Sequence, residues 1–420
     1  MNTFILIARH IGTVSGEKIY HCNKLKYMAS LRWRTIFLTW KAEDTFFEND
    51  CHIECYVLPA LTYAPECYSK NEVFKTINKI AELVGDTNNG MCIIESDAVN
   101  RALWAELIAK RIHAVHLAFL LQERHPYDQD ARHFLEYKYE RHELAGITNK
   151  SVCQMLNDDE MTVREDAHIS AYCNNVVKDC TDSFSGLLAP QAKLTFGSIG
   201  RLDKGCVPAI LKGFIEYAQG NPSDRFNLVL IGGSMDDKKI QQIQELVSSS
   251  NNINLIITGF IYPIPSSLIE NIDLFVSTAG SASVSYRFHR PTIKVQPITG
   301  EPVSVMGMDD LGEKNMYEIL PNTTVYECIN RALLNKNNII YKYDYYYDYY
   351  RNMTNEFNRH ISIAEWSEKM QKKEYYSDEM LLQIKSTHIK AHSFHRIIGH
   401  VIGSKGLNRL VEQLKKIMIL

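Results

Sequence analysis

The sequence lacks the marks of several function classes. Its 46 Lys and Arg against 49 Asp and Glu leave a net charge of −3, without the basic excess that a polyanion reader carries. A general nucleic-acid-binding role is therefore not expected. Among its 10 cysteines there is no Cys-x-x-Cys pair. Cys51 and Cys55 come nearest to ligand spacing, but a structural zinc needs about four grouped ligands, so no metal site is expected. No window approaches the roughly 20 apolar residues of a membrane-spanning helix. The first residues, Met1-Asn2-Thr3-Phe4-Ile5-Leu6-Ile7-Ala8, lack the basic region that opens a secretory signal. Free thiols in a reducing cytoplasm are the expectation.

What is present points to an α/β protein of more than one domain. At 420 residues the chain exceeds the size at which single cores stop growing. Its 45% hydrophobic and 23% charged content are those of a soluble globular protein. Thr3–Ala8 reads as a buried strand, followed by a loop with Gly12 and Gly16 and a helix with Ile19, Cys22, Leu25 and Met28 on one face. Such a strand, glycine loop and helix suit an anion, although Gly12 and Gly16 do not spell Gly-x-Gly-x-x-Gly.

Further strands are predicted at Arg34–Trp40, Cys55–Leu61, Met91–Asp97 and His113–Leu121, with helices over Asn71–Val84 and Asn100–Ala114. A helix with a solvated face is predicted within Asp130–Leu156, and a last strand over Ala167–Cys173. Ligands of open α/β sheets bind outside the carboxyl ends of strands, which makes Asp97 and Glu123 candidates there. The polar stretch Lys178–Ala192 reads as a linker.

The second half is organised around Leu194-Thr195-Phe196-Gly197-Ser198-Ile199-Gly200-Arg201-Leu202-Asp203-Lys204-Gly205. An apolar run ends in a Gly-Arg pair, a charged turn and a Lys-Gly pair, and then helix Val207–Gln219 begins. Phe226–Gly233, Ile253–Gly259 and Asp273–Ser277 repeat the apolar-run-then-small-residue pattern, with a helix at Lys238–Val247 between two of them. This alternation predicts a parallel sheet.

The succession resembles the nucleotide-sugar-binding half of a GT-B glycosyltransferase, of the retaining family-4 type (glycosyl transferases group 1). Gly200, Arg201, Lys204 and Gly205 match that family's Gly-Arg, Lys-Gly element, with a contracted spacer. The family's pair of glutamates eight positions apart is missing from Thr278–Ile293, where a Gly-Ser loop (Gly280, Ser281, Ser283) stands instead; Glu301 is the next carboxylate after it.

The resemblance implies two Rossmann-like domains facing a central cleft, followed by C-terminal helices: an acceptor-side domain over 1–185, a donor domain over 193–335 and a helical segment over 336–420. It implies sugar transfer from a nucleoside-diphosphate sugar to a glycan or lipid-linked acceptor, as in surface polysaccharide assembly, with no metal and no cofactor besides the donor substrate. Arg201 and Lys204 would hold the donor diphosphate, with Gly280, Ser281, Ser283 and Glu301 beside them. Gly12, Gly16, Asp97 and Glu123 would serve the acceptor side. Loss of both glutamates keeps two alternatives open, a sugar-nucleotide epimerase of the same fold and a non-catalytic binding relative.

The tail is ambiguous. The tyrosine-dense run Tyr341–Tyr350 reads as an amphipathic helix or a stacking platform. Leu407, Leu410, Val411, Leu414, Ile417 and Met418 form one helical face, suited to packing on the body of the protein or to peripheral membrane contact.

Overall fold

Short runs of aliphatic residues without alternation make strands that are buried on both faces, as parallel sheets require. In the computed structural model these runs build two six-stranded sheets. The structure describes residues 1–9, 15–40, 52–87, 90–121, 128–170, 172–173, 175–179, 184–309, 318–341, 345–370, 374–384 and 392–418, the side chains of 184–185, 345–348, 392–394 and 415–418 excepted. Backbone proximity divides the chain into two compact units, one of Met1–Gly12, Tyr20–Tyr172 and Asn352–Leu420, the other of Thr13–Ile19 and Cys173–Arg351.

The first sheet is formed by β1 (Thr3–Ile7), β2 (Arg34–Thr39), β3 (Ile53–Val57), β4 (Cys92–Ser96), β5 (Val115–Leu120) and β6 (Leu144–Gly146), all parallel, in the order β3-β2-β1-β4-β5-β6. Its helices are α1 (Gly16–Ser30), α2 (Lys70–Val84), α3 (Val99–Ile112), α4 (Gln129–Glu140) and α5 (Asn149–Leu156). Local chemistry sets their ends. Ser69 caps α2 by accepting from the Glu72 amide, and Gly85 closes it at φ +69°, where an L side chain is strained. Thr148 and Ser151 form a reciprocal capping box at α5.

Three expected elements differ. The third strand ends at Val57 because Pro59, without an N–H to donate, opens a 3₁₀ turn over Pro59–Thr62. The stretch expected as one helix over Asp130–Leu156 is two helices around β6; His142 at φ +59° ends the first, and Leu144–Gly146 then pair with β5. The described residues of Ala167–Cys173 form no strand. A 3₁₀ turn, Glu165–Ala167, precedes a single bridge from His168 to Gly146, the last residue of β6.

The second unit repeats the winding. A two-residue pair, β7 (Val177–Lys178) with β11 (Ile264–Pro265), stands beside a sheet of β8 (Leu194–Ile199), β9 (Phe226–Ile231), β10 (Ile253–Ile257), β12 (Leu274–Thr278), β13 (Thr292–Val295) and β14 (Pro302–Val305). Its order is β10-β9-β8-β12-β13-β14, with β14 antiparallel. The helices are α6 (Val207–Gln219), α7 (Asp237–Ser248), α8 (Ser266–Glu270), α9 (Ala279–Arg287) and α10 (Val325–Leu334). The core of this unit lies between its sheet, α6 and α10, around Phe196, Phe214, Phe226, Val276 and Ile329.

The chain ends in α11 (Tyr345–Met370), α12 (Asp378–Leu381) and α13 (His392–Met418). Charge as well as apolar packing seats α11 in the first unit. Buried Lys24 of α1 lies 3.4 Å from Glu95 of β4 and donates to Nδ1 of His360 (2.7 Å). Nε2 of His360 in turn donates to Glu356 (3.2 Å), which also accepts from the Ser170 amide (2.9 Å). Phe357 packs on Tyr20 and beneath the Lys24 ammonium. Burying a charge is costly unless it is paired, and this chain of donors and acceptors partners Lys24 and Glu356.

His360 accepts from a cation and donates to an anion, so it is held neutral; burial, followed by the Lys24 charge, lowers its pKa to about 3. The unfolded imidazole protonates near its ordinary value of about 6.5. The folded value lies lower, so stability is fully present above about pH 6.5 and is lost as pH falls toward 3. We predict a decline in unfolding free energy between pH 6.5 and 4.5 that is shallower in His360→Gln, by up to about 1.4 kcal/mol per pH unit. Denaturant melts across that range measure it; equal slopes in both proteins would refute a neutral buried His360.

Candidate functional site

In the second sheet β8 is flanked by β9 on one side and β12 on the other. The chain leaves β8 toward β9 and later returns to the far side as β12, so connections depart in opposite directions from neighbouring strands. Such a switch point opens a crevice at the carboxyl edge. Backbone pairing between β8 and β12 extends only over Phe196–Leu274 and Gly197–Phe275. Beyond it, the Ser277 hydroxyl accepts from the Ile199 amide (2.9 Å). Two loops meet the edge here, one after Ile199 and one after Thr278.

The first loop is built on close backbone approach. Gly200 and Gly232 have φ of +148° and +153°, and a Cβ on Gly232 would overlap the Gly200 carbonyl. The Leu202 amide donates to Gly233 O (2.9 Å), and the Gly232 amide to Thr258 Oγ1 (3.2 Å). Gly205 packs on the Ile298 carbonyl, leaving no room for a side chain. The turn thus fixed carries Arg201 and Lys204.

Arg201 is exposed and pairs with Asp203 of the same turn at 3.2 Å. Lys204 is half-buried; burial pushes its pKa below the ordinary lysine value, with the Arg201 charge acting in the same direction. Two cations in one turn, one partly stripped of water, form a local positive field that an anion would relieve.

The second loop is the entry to α9. Thr278 is the N-cap residue but makes no cap hydrogen bond, and its buried hydroxyl has no partner among the described residues. The first amides of a helix have no intrahelical acceptor, and here the cap residue does not claim them. Ala279 enters at φ +47°, a left-handed conformation costing an L-residue about 1 kcal/mol. Gly280, Ser281 and Ser283 follow, half-buried, within the first turns. Small side chains, spare amides and the positive helix end suit phosphate oxygens. Ser285 is committed elsewhere, to Thr292 Oγ1 at 2.9 Å.

Glu301 closes the turn between β13 and β14, is exposed, and accepts from Thr299 Oγ1 at 2.7 Å. Gly300 of that turn, at φ +77°, packs on Cys206 and Ala209, so the turn abuts the start of α6. The structure therefore gathers Arg201, Lys204, Gly280, Ser281 and Ser283 at the ends of two adjacent strands, with the Glu301 turn against Gly205. Sequence reasoning missed Gly232 and Thr278. The Gly232-Gly233 pair was a visible signal, whereas an N-cap threonine that does not cap has none.

The remaining candidates are differently placed. Gly12 and Glu123 lie outside the described residues. Gly16 is the first residue of α1. Asp97 follows β4 and is 2% exposed. It is paired with Arg101 and lies 3.4 Å from His21, while the Arg101 guanidinium stands over the Trp40 ring. His21 and Asp97 are ligand-type side chains, but the Arg101 cation opposes a metal ion at this carboxylate. Beside it, Ser96 Oγ, His116 and Glu106 form a line with spacings of 2.9 and 2.7 Å. This resembles a nucleophile–base–orienter arrangement, yet all three are buried and Glu106 also holds Lys138 at 3.0 Å. A nucleophile must reach substrate, so the line is structural. A cavity of about 530 Å³ at the ends of α2 and α3, lined by Glu82, Asp86, Arg111 and His113, lies at the amino edge of the first sheet, away from the strand ends where such folds bind ligands.

No family model matches the chain, and no curated protein matches it in sequence. Solved structures do. A glycosyltransferase from Rickettsia africae ESF-5 shares 11% identity over 94% of this chain and 98% of its own, with a TM-score of 0.57. Anabaena Alr3699/HepE in complex with UDP shares 12% over 89% and 100%, with a TM-score of 0.54. The same protein with UDP and glucose gives 0.50 over 88% and 99%, at 12% identity. The chain has the GT-B fold, two Rossmann-like sheets followed by C-terminal helices.

The crowding at Gly232 and the exposure of Arg201 predict opposite stability outcomes. Gly232→Ala should cost about 2 kcal/mol or more through overlap and backbone strain, and Arg201→Ala less than about 0.5 kcal/mol. Urea unfolding separates them; a Gly232→Ala protein as stable as wild type would disprove the close approach of the two loops.

Proposed function

We propose that the chain is a glycosyltransferase that moves a sugar from a nucleoside-diphosphate sugar to a glycan or lipid-linked acceptor, in surface polysaccharide biosynthesis. The observation that carries this reading is the convergence of the Arg201/Lys204 turn and the uncapped amide end of α9 on adjacent strand ends at the switch point. The Anabaena structure of the same fold, solved with UDP, supports a nucleotide ligand.

In the reaction the bond from the anomeric carbon to the diphosphate oxygen breaks and an acceptor hydroxyl oxygen bonds to that carbon. The hydroxyl proton leaves to a base, and the nucleoside diphosphate departs with the electron pair. Negative charge grows on the departing oxygen. Preorganised cations at that position stabilise it without reorganisation. Arg201 suits bidentate contact, at the expense of its pairing with Asp203, and Lys204 a point contact. The amides of α9 and the hydroxyls of Ser281 and Ser283 would hold the remaining phosphate oxygens.

With no paired glutamates, recognition of the ribose and sugar falls to other groups, among which Glu301 is the next carboxylate along the chain. Gly12, Gly16 and Glu123 would serve the acceptor, while Asp97, engaged by Arg101 and His21, would hold its strand end in place. The described cysteines are all free, which suits a reducing, cytoplasmic setting.

Calorimetry with UDP, GDP, dTDP and CDP tests the donor half. One nucleotide should bind, and Arg201→Ala should weaken it about ten-fold or more, roughly 1.4 kcal/mol. Ser281→Asp should weaken it as well, by placing like charge at the anion end of α9. Binding of none, or an unaffected Arg201→Ala, overturns the assignment. With the matching sugar nucleotide, release of diphosphate that depends on an added acceptor identifies transfer. An epimerised donor without acceptor would identify an epimerase, and binding without turnover a non-catalytic relative.

A further inference from the structure

The last helix is held to the first unit by one face and presents an unusual outer face. On the inner face Leu407 is fully buried, Gly399 abuts the Cys67 carbonyl, and Ile398 and Val411 pack on the core. Ser404 Oγ donates to Glu72 of α2 (2.8 Å), Asn408 donates to Pro59 O (2.9 Å), and His400 Nε2 lies 3.1 Å from Glu66 O. That packing accounts for the helix being seated, but not for its other side.

A surface helix anchored in this way is normally polar outward. Here Ile397 and Val401, one turn apart, are 66% and 79% exposed, and Ile402 beside them 48%. Lys405 and Arg409, one turn apart on the segment that follows, are exposed as well. Gly403, at φ +69° and ψ 180°, breaks the helix between the aliphatic and the basic part.

Charge follows the same pattern. Over residues 392–418 there are five cations, Arg396, Lys405, Arg409, Lys415 and Lys416, against one acid, Glu412, in a chain whose net charge is −3. Arg396 keeps one buried neighbour, Glu66, at 3.9 Å. Helix α2, joined to α13 through Glu72 and Ser404, adds an exposed Phe74 (45%) among exposed Lys70, Lys75 and Lys79.

Large apolar side chains standing in water beside cations are the composition of a helix lying in a bilayer interface. The aliphatic groups enter the acyl boundary and the cations meet acidic headgroups. We infer that the exposed side chains of α13 dock on an anionic phospholipid surface, Ile397 and Val401 from the segment before Gly403 and Lys405 and Arg409 from the segment after it. This docking does not depend on the donor-site reading and stands or falls separately from it.

Flotation of the full chain with phosphatidylcholine–phosphatidylglycerol vesicles, against phosphatidylcholine alone, tests it. Wild type should float with the acidic vesicles only, and added salt should release it. The double variants Ile397→Asp/Val401→Asp and Lys405→Glu/Arg409→Glu should each bind about ten-fold more weakly or worse. Both should melt as wild type does, because the altered side chains are exposed. Lys238→Glu/Lys239→Glu, on α7 of the other unit, should float normally. The proposal is overturned if wild type fails to float, if the aspartate variant floats equally well, or if the lysine control is released as strongly. It is overturned too if light scattering finds a dimer that the aspartate variant dissociates, since a second copy would then cover the face.

Discussion

Two neighbouring parallel strands whose onward connections leave on opposite sides cannot cover the gap at their own carboxyl ends. That constraint shapes both sheets, each wound with its first strand beside its fourth. In the second sheet the gap falls between β8 and β12, and their backbone pairing stops two residues short of the end of β8 and three short of the end of β12. The features argued to be functional are responses to that opening. Glycines let the Gly200 and Gly232 turns crowd together, and small residues keep the start of α9 accessible. The turn beside it carries two cations, Arg201 and Lys204, whose charge adds to that of the helix end and would complement an anion there.

The first unit meets a different demand, that of burying charge. Lys24, Glu95, Glu106, Lys138 and Glu143 are all nearly inaccessible, and each is matched by an opposite charge or a neutral imidazole. Glu143 alone is shared by Lys138, Arg141 and Ser367. Two of these networks draw on the tail, through His360 and Glu356 in one and Ser367 and the Tyr376 amide in the other. Removing one partner from such a network leaves an uncompensated charge, which is far costlier than the pair is favourable. The tail helices are thus part of the electrostatic balance of the first unit.

Seating by an inner face leaves α13 free to present a different chemistry outward. The same division occurs at Asp97. Its position at a strand end marks it for a ligand, yet Arg101 and His21 already engage it. Position on the fold and availability for chemistry are separate properties, and only side-chain neighbours distinguish them.

The parallel winding was legible from the sequence alone. Continuous apolar runs ending in small residues, Thr3–Ile7, Phe226–Ile231 and Leu274–Thr278 among them, have no other economical reading, and α2, α6 and α7 follow from their apolar spacing. The Arg201/Lys204 turn was legible for the same reason, since glycine and charge at a strand end are local signals. What failed was decided non-locally or by a single breaker. Pro59 shortened β3, β6 exists only because β5 offers its edge, and His168 finds one bridging partner in place of a strand. Tertiary structure alone decided that Asp97 is engaged, that Thr278 leaves its helix uncapped, and that Leu407 points inward while Val401 does not. Each depends on which distant side chain or backbone arrives at that point, and spacing along a chain carries no record of that.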